Sequence, residues 1–355
     1  MSQIVPIFNE PQSGNKFTNG NGCKLHFRVA KTPPGVVAKC VVFFVPGYSN
    51  HVNSPEVKRM NENLASKGTI VVSIDMQGHG YSEGLRCYVP RYDHFVRDVV
   101  HFVSCFMDEH ATNNTLFFDP EPNSFNNSDL LAFRKLPFFI MAVSMGGGIS
   151  VIAAHILWNM KRGDERMFPQ FRGVLFQAPF TTIAQPGCLT ASILKYAFSH
   201  FIRIFTALSN SFALRNLFYR STVGACASTI QLPASMSKTN VVQMLYKSPE
   251  SQAYFEMDTW GKPGALGWNQ GMRWGTVLMF LDLGAAIDVI RKDIAYPFMI
   301  LHDPADELTD IAGSRQLIEE SLTDPDHKQL IEVNICFPLY LLLIILLVFF
   351  PSKLN

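Results

Sequence analysis

Short apolar runs alternate with amphipathic stretches along most of the chain, and this alternation predicts strands and helices in turn. The run Val41–Val45 reads VVFFV, which is typical of a strand covered on both faces. The predicted strands are Leu25–Ala30, Lys39–Val45, Thr69–Ile74, Phe138–Val143, Gly173–Ala178, Pro297–Leu301 and Gln329–Val333. The predicted helices are Pro55–Lys67, Tyr92–Met107, Gly146–Asn159 and Gly313–Leu322. Together they favour an α/β fold with a mostly parallel sheet and helices on both faces.

Two segments interrupt this rhythm. Thr112–Lys135 is rich in Asn, Asp, Pro and Ser and is interpreted as a loop insertion. From Phe180 to about Lys292 no strand pattern is seen, so we predict a cap inserted into the core. The predicted boundaries are 20–179 and 293–333 for the two parts of the core, 180–292 for the cap, and 334–355 for an apolar tail.

An apolar stripe runs along a predicted helix of the cap. Its members, spaced three and four residues apart, are Leu194, Phe198, Phe201, Phe205 and Leu208. One interpretation is that the stripe packs on the core. The other is that it lines an acyl pocket or touches lipid, and both can hold at once.

The tail contains the uncharged run Ile335–Phe350. As a helix it would span about 24 Å, somewhat short of a hydrocarbon core of about 30 Å. Three interpretations stay open: a short C-terminal membrane anchor, a buried segment, or a translated piece of non-coding sequence.

Composition and charge exclude two classes of protein. Apolar residues make up 48% and charged residues 17%, which excludes a disordered chain. The net charge of +1 gives no basic footprint for nucleic acid. Phenylalanine contributes 29 residues, which suits a large core with an apolar binding site.

The first residues and the cysteines favour a reducing, cytosol-facing location. Met1–Lys16 contains no apolar run, so no secretory signal is predicted. Seven cysteines without a C-x-x-C pair indicate neither a disulfide framework nor a zinc site. The sequons at Asn113 and Asn126 are therefore interpreted as chance matches. We expect the protein in the cytoplasm or on the cytosolic face of a membrane.

A candidate nucleophile lies where the strand Phe138–Val143 runs into small residues and then a helix. Ser144 is followed by Met145 and three glycines, which allow a sharp strand-to-helix turn. Ala142 stands where the usual G-x-S-x-G pattern has its first glycine. The alternative is a structural serine in a tight turn.

The loop after the strand Lys39–Val45 is a candidate oxyanion site. Gly47 lets the backbone bend, so that the amide of Tyr48 could act together with the amide of Met145. An ordinary turn at a strand end is the alternative.

Residues 75–84, DMQGHGYSEG, resemble the D-x-x-G-H-G-x-S-x-G signature of monoacylglycerol lipase-like and serine aminopeptidase-type α/β-hydrolases. The elbow at Ser144 and the stretch 297–309 are also similar to that family. The resemblance implies the α/β-hydrolase fold and makes Asp306 the triad acid. Asp303 is a weaker alternative, and Asp306 could also be an ordinary solvated carboxylate of a loop. It also implies that Asp75 and His79 brace the loop after their strand. Pro46 stands where the family usually has histidine.

The triad histidine of the family is missing. It should follow the last strand, but the sequence has no histidine after His327. His327 precedes that strand and so lies at the wrong edge of the sheet. His51, His79 and His302 are nearer, and each also has an ordinary structural explanation.

Three interpretations of the function therefore compete. The first is an active serine hydrolase that cleaves monoacylglycerol- or lysophospholipid-type esters through an acyl-serine intermediate, with the tail an annotation or splicing artefact. The second is a catalytically impaired protein that binds lipid or a partner. The third is a tail-anchored protein that keeps the domain. The resemblance favours the lipid ester as substrate, and no metal or organic cofactor is implied.

Overall fold

The computed structural model describes residues 15–333 apart from residues 90, 109–115, 119–126, 165–166, 183–248, 269, 271 and 307. Within these ranges the strands are β1 Asn15–Thr18, β2 Lys24–Ala30, β3 Cys40–Val45, β4 Thr69–Ile74, β5 Leu116–Phe117, β6 Phe138–Val143, β7 Phe171–Gln177, β8 Phe298–His302 and β9 Lys328–Glu332. The helices are α1 Pro55–Ser66, α2 Tyr92–Met107, α3 Asn127–Phe133, α4 Ser144–Gly163, α5 Pro249–Met257, α6 Trp274–Ile290 and α7 Ile311–Glu320.

The strands form one sheet in the order β5-β1-β2-β4-β3-β6-β7-β8-β9. From β4 to β9 neighbouring strands pair in parallel, whereas β5, β1 and β2 extend the sheet by antiparallel pairing. This topology places the carboxyl ends of β3, β6, β7 and β8 side by side at one edge, where ligands bind in open α/β sheets.

Helices pack on both faces of the sheet, as the sequence predicted. The larger core lies against α2, α4 and α6, and Phe102, Ile149 and Leu283 are buried there. The smaller core lies on the other face, where α1 buries Val57 and Met60 against β3 and its neighbours. The central strands are therefore apolar on both sides, which explains their continuous apolar runs.

The segment predicted as one loop, Thr112–Lys135, contains secondary structure. Leu116–Phe117 is a two-residue strand paired with β1, and Asn127–Phe133 is a helix. The prediction of a single loop was wrong here because such short elements leave little periodicity in the sequence.

The predicted cap is described only at its ends. The stripe Leu194–Leu208 lies outside the described residues, as does the tail Ile335–Phe350. The helix α6, near the end of the predicted cap, buries Met279, Leu283 and Ile287 in the larger core. The cap boundaries stay a prediction. No helix in the described ranges is long and apolar enough to cross a membrane.

Candidate active site

The turn from β6 into α4 holds Ser144 in a conformation that non-glycine residues rarely adopt. Val143 is extended, with φ −123° and ψ 136°, whereas Ser144 has φ 51° and begins the helix. A positive φ at a serine costs free energy and is typical of functional turns. Ser144 is half-buried, and no described residue forms a hydrogen bond with its Oγ. The turn places this residue at the carboxyl edge of the sheet.

Three glycines allow α4 to start this close to the neighbouring strand ends. A Cβ on Gly146 would lie 2.3 Å from the carbonyl oxygen of Pro46, and one on Gly148 would lie 2.3 Å from that of Phe180. Neither distance is possible for a real side chain. The sequence GGG after Met145 is thus required by packing between β3, β6 and β7.

The loop after β3 passes beside the serine. A Cβ on Gly47 would lie 3.2 Å from Cβ of Ser144 and 3.8 Å from its Oγ. Met145 is the second residue of α4, so its N–H has no carbonyl one turn earlier in the helix to bind. In the described part of the chain no carbonyl accepts a hydrogen bond from the N–H of Tyr48 either. Both candidate oxyanion donors are therefore free of backbone partners there.

The carboxylate of Asp306 is oriented by its own loop. Its Oδ1 accepts hydrogen bonds from the N–H of Leu308 at 2.8 Å and of Thr309 at 3.0 Å, and its Oδ2 accepts one from the Thr309 hydroxyl at 2.8 Å. The Asp306 side chain is 20% exposed. The alternative acid, Asp303, accepts a hydrogen bond from the N–H of Ala305 within the same loop.

The sheet register relates the serine to this acid loop. Val143, directly before Ser144, pairs with Gln177, which pairs with Leu301 near the end of β8. Two strand spacings amount to about 10 Å. The two loops thus leave the same edge of the sheet, two strands apart.

His302 has a structural role. It is fully buried, its Nε2 donates to the carbonyl of Thr309 at 3.0 Å, and its Nδ1 accepts from the Ser314 hydroxyl at 2.8 Å. Burial lowers its pKa. Both ring nitrogens are engaged, so His302 shapes the acid loop.

His51 is engaged through both ring nitrogens as well, whereas His79 is engaged through one, and its buried Nε2 has no hydrogen-bond partner among the described residues. His51 hydrogen-bonds through Nε2 to the carboxylate of Asp258 at 2.8 Å, and its Nδ1 accepts from the N–H of Asn53 at 3.2 Å. His79 donates from Nδ1 to the carbonyl of Gln77 at 3.0 Å, and burial lowers its pKa to about 4. Neither hydrogen-bonds the serine. His327 lies in the 3-10 turn before β9, at the opposite edge of the sheet, as expected.

The carboxylate of Asp75 connects the oxyanion loop with β2 and with the loop after β4. Its carboxylate accepts from the N–H of Val52 at 2.7 Å, from Nδ1 of His26 at 2.8 Å and from the N–H of Tyr81 at 3.1 Å. Burial acts to raise its pKa, but the hydrogen bond and charge of His26 outweigh this and lower it. The prediction was that Asp75 braces the loop after its own strand: the hydrogen bond from Tyr81 lies in that loop, and the one from Val52 also connects Asp75 to the loop after β3.

Comparison with known proteins decides the family. The sequence profile of a family described as serine aminopeptidase S33 matches residues 37–118 and 124–334. The chain belongs to this family. The monoacylglycerol lipase-like resemblance inferred from the motifs is thereby confirmed, and by family the protein is a serine ester hydrolase.

Two kinds of relative support the assignment. The monoglyceride lipases of mouse and rat are 26% and 25% identical over 320 residues, which cover 90% of this chain and 80% of theirs. A solved structure of a soluble variant of Saccharomyces cerevisiae monoglyceride lipase aligns with a TM-score of 0.57 and 15% identity, covering 92% of this chain and 87% of that one. A lipase in its open form aligns with a TM-score of 0.61 and 15% identity, covering 96% and 98%. At these identities the structures show the α/β-hydrolase fold alone.

The contacts between the described end of the predicted cap and the oxyanion loop could not be predicted from the sequence of this S33 family member. Asp258 receives the hydrogen bond of His51, and the Ser49 hydroxyl accepts one from the N–H of Trp268 at 3.0 Å. Burial acts to raise the pKa of Asp258, but the hydrogen bond and charge of His51 and the backbone hydrogen bonds from Gly267 and Leu266 together lower it. Asp258 and Trp268 lie in a segment without periodicity, so no local pattern could have found these contacts.

Proposed function

We propose that this protein hydrolyses carboxylic esters of lipids with a single acyl chain, of the monoacylglycerol or lysophospholipid type, through a covalent acyl-serine. The observation that carries the proposal is Ser144 itself: a serine with φ 51° at a helix start, its Oγ beside Gly47 and free of described partners. The similarity to the monoglyceride lipases of mouse and rat supports the substrate class.

In the proposed reaction Ser144 Oγ attacks the ester carbonyl and the amides of Tyr48 and Met145 hold the oxyanion. The proton of Oγ passes to a base, which returns it to the departing alcohol, and water then releases the acid. Asp306 is the group that would orient the base. Because the chain has no histidine after His327, we expect turnover several powers of ten below that of a complete triad.

A second function rests on the histidines. His51 and His302 use both ring nitrogens, and His79 is buried with a low pKa. If none of these histidines acts as a base, the protein would bind a lipid ester or a partner at the carboxyl edge of the sheet without turnover.

Labelling by a fluorophosphonate probe separates the two functions. In this reaction serine Oγ bonds to phosphorus and fluoride leaves, with the proton taken by a base. If the protein is an esterase, wild type is labelled, Ser144→Ala is not, and the control Ser66→Ala, at an exposed serine, is labelled as wild type. Absence of labelling in wild type at conditions that label a known serine esterase would leave the binding function.

Association with lipid surfaces is part of the same proposal. It would involve the cap 180–292 or the run Ile335–Phe350, on the cytosolic side. Carbonate extraction of the full-length protein tests it: release into the supernatant would exclude an anchored tail.

A further inference from the structure

Three aromatic rings form a continuous wall at the described edge of the site. Tyr48 comes from the oxyanion loop, Phe280 from α6 and Phe180 from the loop after β7. The ring centroids of Tyr48 and Phe280 are 6.2 Å apart at 72°, and those of Phe180 and Phe280 are 4.8 Å apart at 66°. Edge-to-face contacts of this kind hold rings in fixed relative orientations. We call this group the aromatic wall.

Both ends of the aromatic wall are attached at the nucleophile. Phe180 donates its N–H to the carbonyl of Ser144 at 2.9 Å. At the other end Tyr48 directly follows Gly47, whose added Cβ would lie 3.2 Å from Cβ of Ser144. The two outer members, Tyr48 and Phe180, are therefore each connected to Ser144 through the backbone. Phe280 of α6 packs between them.

The ring of Tyr48 is held in place on two further sides. Its hydroxyl donates to the carbonyl of Cys87 at 3.3 Å, and its ring meets that of His79 edge-on at 5.8 Å. Burial raises the pKa of Tyr48 well above its ordinary value, so the hydroxyl stays a neutral donor. Tyr48 nevertheless keeps part of its surface exposed, whereas Phe180 and Phe280 are buried at 4% and 8% exposure. Tyr48 is thus the member of the wall that still offers surface to a ligand.

We propose that Tyr48 is a specificity-determining residue whose ring ends the apolar path for the acyl chain and so favours short-chain esters. The inference rests on the proposed function for its ligand, an acyl chain attached next to Ser144. An acyl chain is apolar and gains affinity with each methylene that it buries. Since the ring is fixed by Cys87, His79 and Phe280, it does not yield to a longer chain, and further methylenes then remain in water.

The test uses binding, so that it does not depend on turnover. The ligands are 1-O-alkylglycerols with butyl, octyl, dodecyl and hexadecyl chains, which have no ester to cleave, measured by calorimetry below their critical micelle concentrations in a Ser144→Ala background. We expect affinity to stop rising by octyl. With Tyr48→Ala the dodecyl-to-butyl affinity ratio should increase about 15-fold if two more methylenes are buried.

Two variants control the test. Tyr48→Phe keeps the ring and should keep the wild-type ratio, since it loses only the bond to Cys87. Phe280→Ala opens the wall from α6 and should also raise the ratio, which covers the case that Tyr48→Ala does not fold. An unchanged ratio in a folded Tyr48→Ala, an affinity that rises steadily to hexadecyl in the background, or no binding at any length would overturn the inference. If Tyr48→Ala raises the dodecyl-to-butyl affinity ratio but wild type is not labelled by the fluorophosphonate, the role of Tyr48 is upheld and turnover is rejected. If wild type is labelled but the ratio is unchanged, turnover is upheld and the role of Tyr48 is rejected.

Discussion

The buried carboxyl of Asp98 in α2 should make the stability of this protein depend on pH in a way that one substitution removes. Asp98 is 3% exposed, and its Oδ2 accepts a hydrogen bond from Asn19 at 3.1 Å. Burial raises its pKa to about 7 against this hydrogen bond. In the unfolded chain the pKa is about 3.9. The folded state therefore keeps a proton that the unfolded chain has released between about pH 4 and 7.

The sign and size follow from linkage. Because the folded state holds more protons in this window, the contribution of Asp98 to the free energy of unfolding falls as pH rises, by roughly 3 kcal/mol between pH 4 and 7. His79 acts in the opposite sense over much of the same window, since its folded pKa is about 4 and the unfolded chain binds a proton below about pH 6.5. Only a comparison of two proteins isolates Asp98.

The measurement is the free energy of unfolding of wild type and Asp98→Asn, from urea denaturation followed by tryptophan fluorescence at several pH values between about 4 and 8. Asparagine keeps an oxygen for the Asn19 donor but carries no charge. The difference, variant minus wild type, should grow with pH by roughly 4 kcal/mol. Ser66→Ala, at an exposed position of α1, removes no titratable group and should give a flat difference. A flat difference for Asp98→Asn would refute the reasoning, and would mean that water in the adjacent cavity of about 360 Å³ solvates the carboxylate.

Three further predictions concern the site. Gly146→Ala puts a methyl group 2.3 Å from the carbonyl oxygen of Pro46 and should lower the free energy of unfolding by about 3 kcal/mol, whereas Gly163→Ala, with open space around it in the same helix, should not; equal denaturation curves would contradict this. Asp258→Ala leaves the buried Nε2 of His51 without its acceptor and should cost about 1–3 kcal/mol, while Asp258→Asn keeps an acceptor and should cost less, both from denaturation curves. Added imidazole should raise the fluorophosphonate labelling rate at least about tenfold, with less effect in Asp306→Asn; an equal effect in both would argue against Asp306 as the group that orients a base.

The main elements could be predicted because they repeat their pattern over several residues. β4 and β6 have the predicted bounds, and α2 begins and ends where its apolar spacing indicated. β1 could not be found, since its four residues bury only Phe17 and its outer neighbour is the distant β5, where Lys16 pairs with Phe117. Periodicity needs length, and tertiary pairing leaves no local signal.

Some features of the candidate site could likewise be predicted from the local sequence, and others could not. The strand-to-helix turn at Ser144 was predictable because the tight turn demands small neighbours in the sequence itself. The roles of the histidines were not, since the partner of His51 lies 207 residues away and that of His302 is a backbone carbonyl. Only the fold shows that these rings are occupied.

The scaffold around the serine does not depend on a triad histidine. Asp75 holds the oxyanion loop through Val52, the three glycines hold α4 against β3 and β7, and the loop's own donors hold Asp306. Each of these contacts forms within the described chain without an imidazole between Ser144 and Asp306. Loss of the base would therefore remove proton transfer while leaving the candidate oxyanion donors and the aromatic wall in place. Binding and turnover should then separate experimentally, and a chain-length preference for binding would persist in a protein that turns over slowly or not at all.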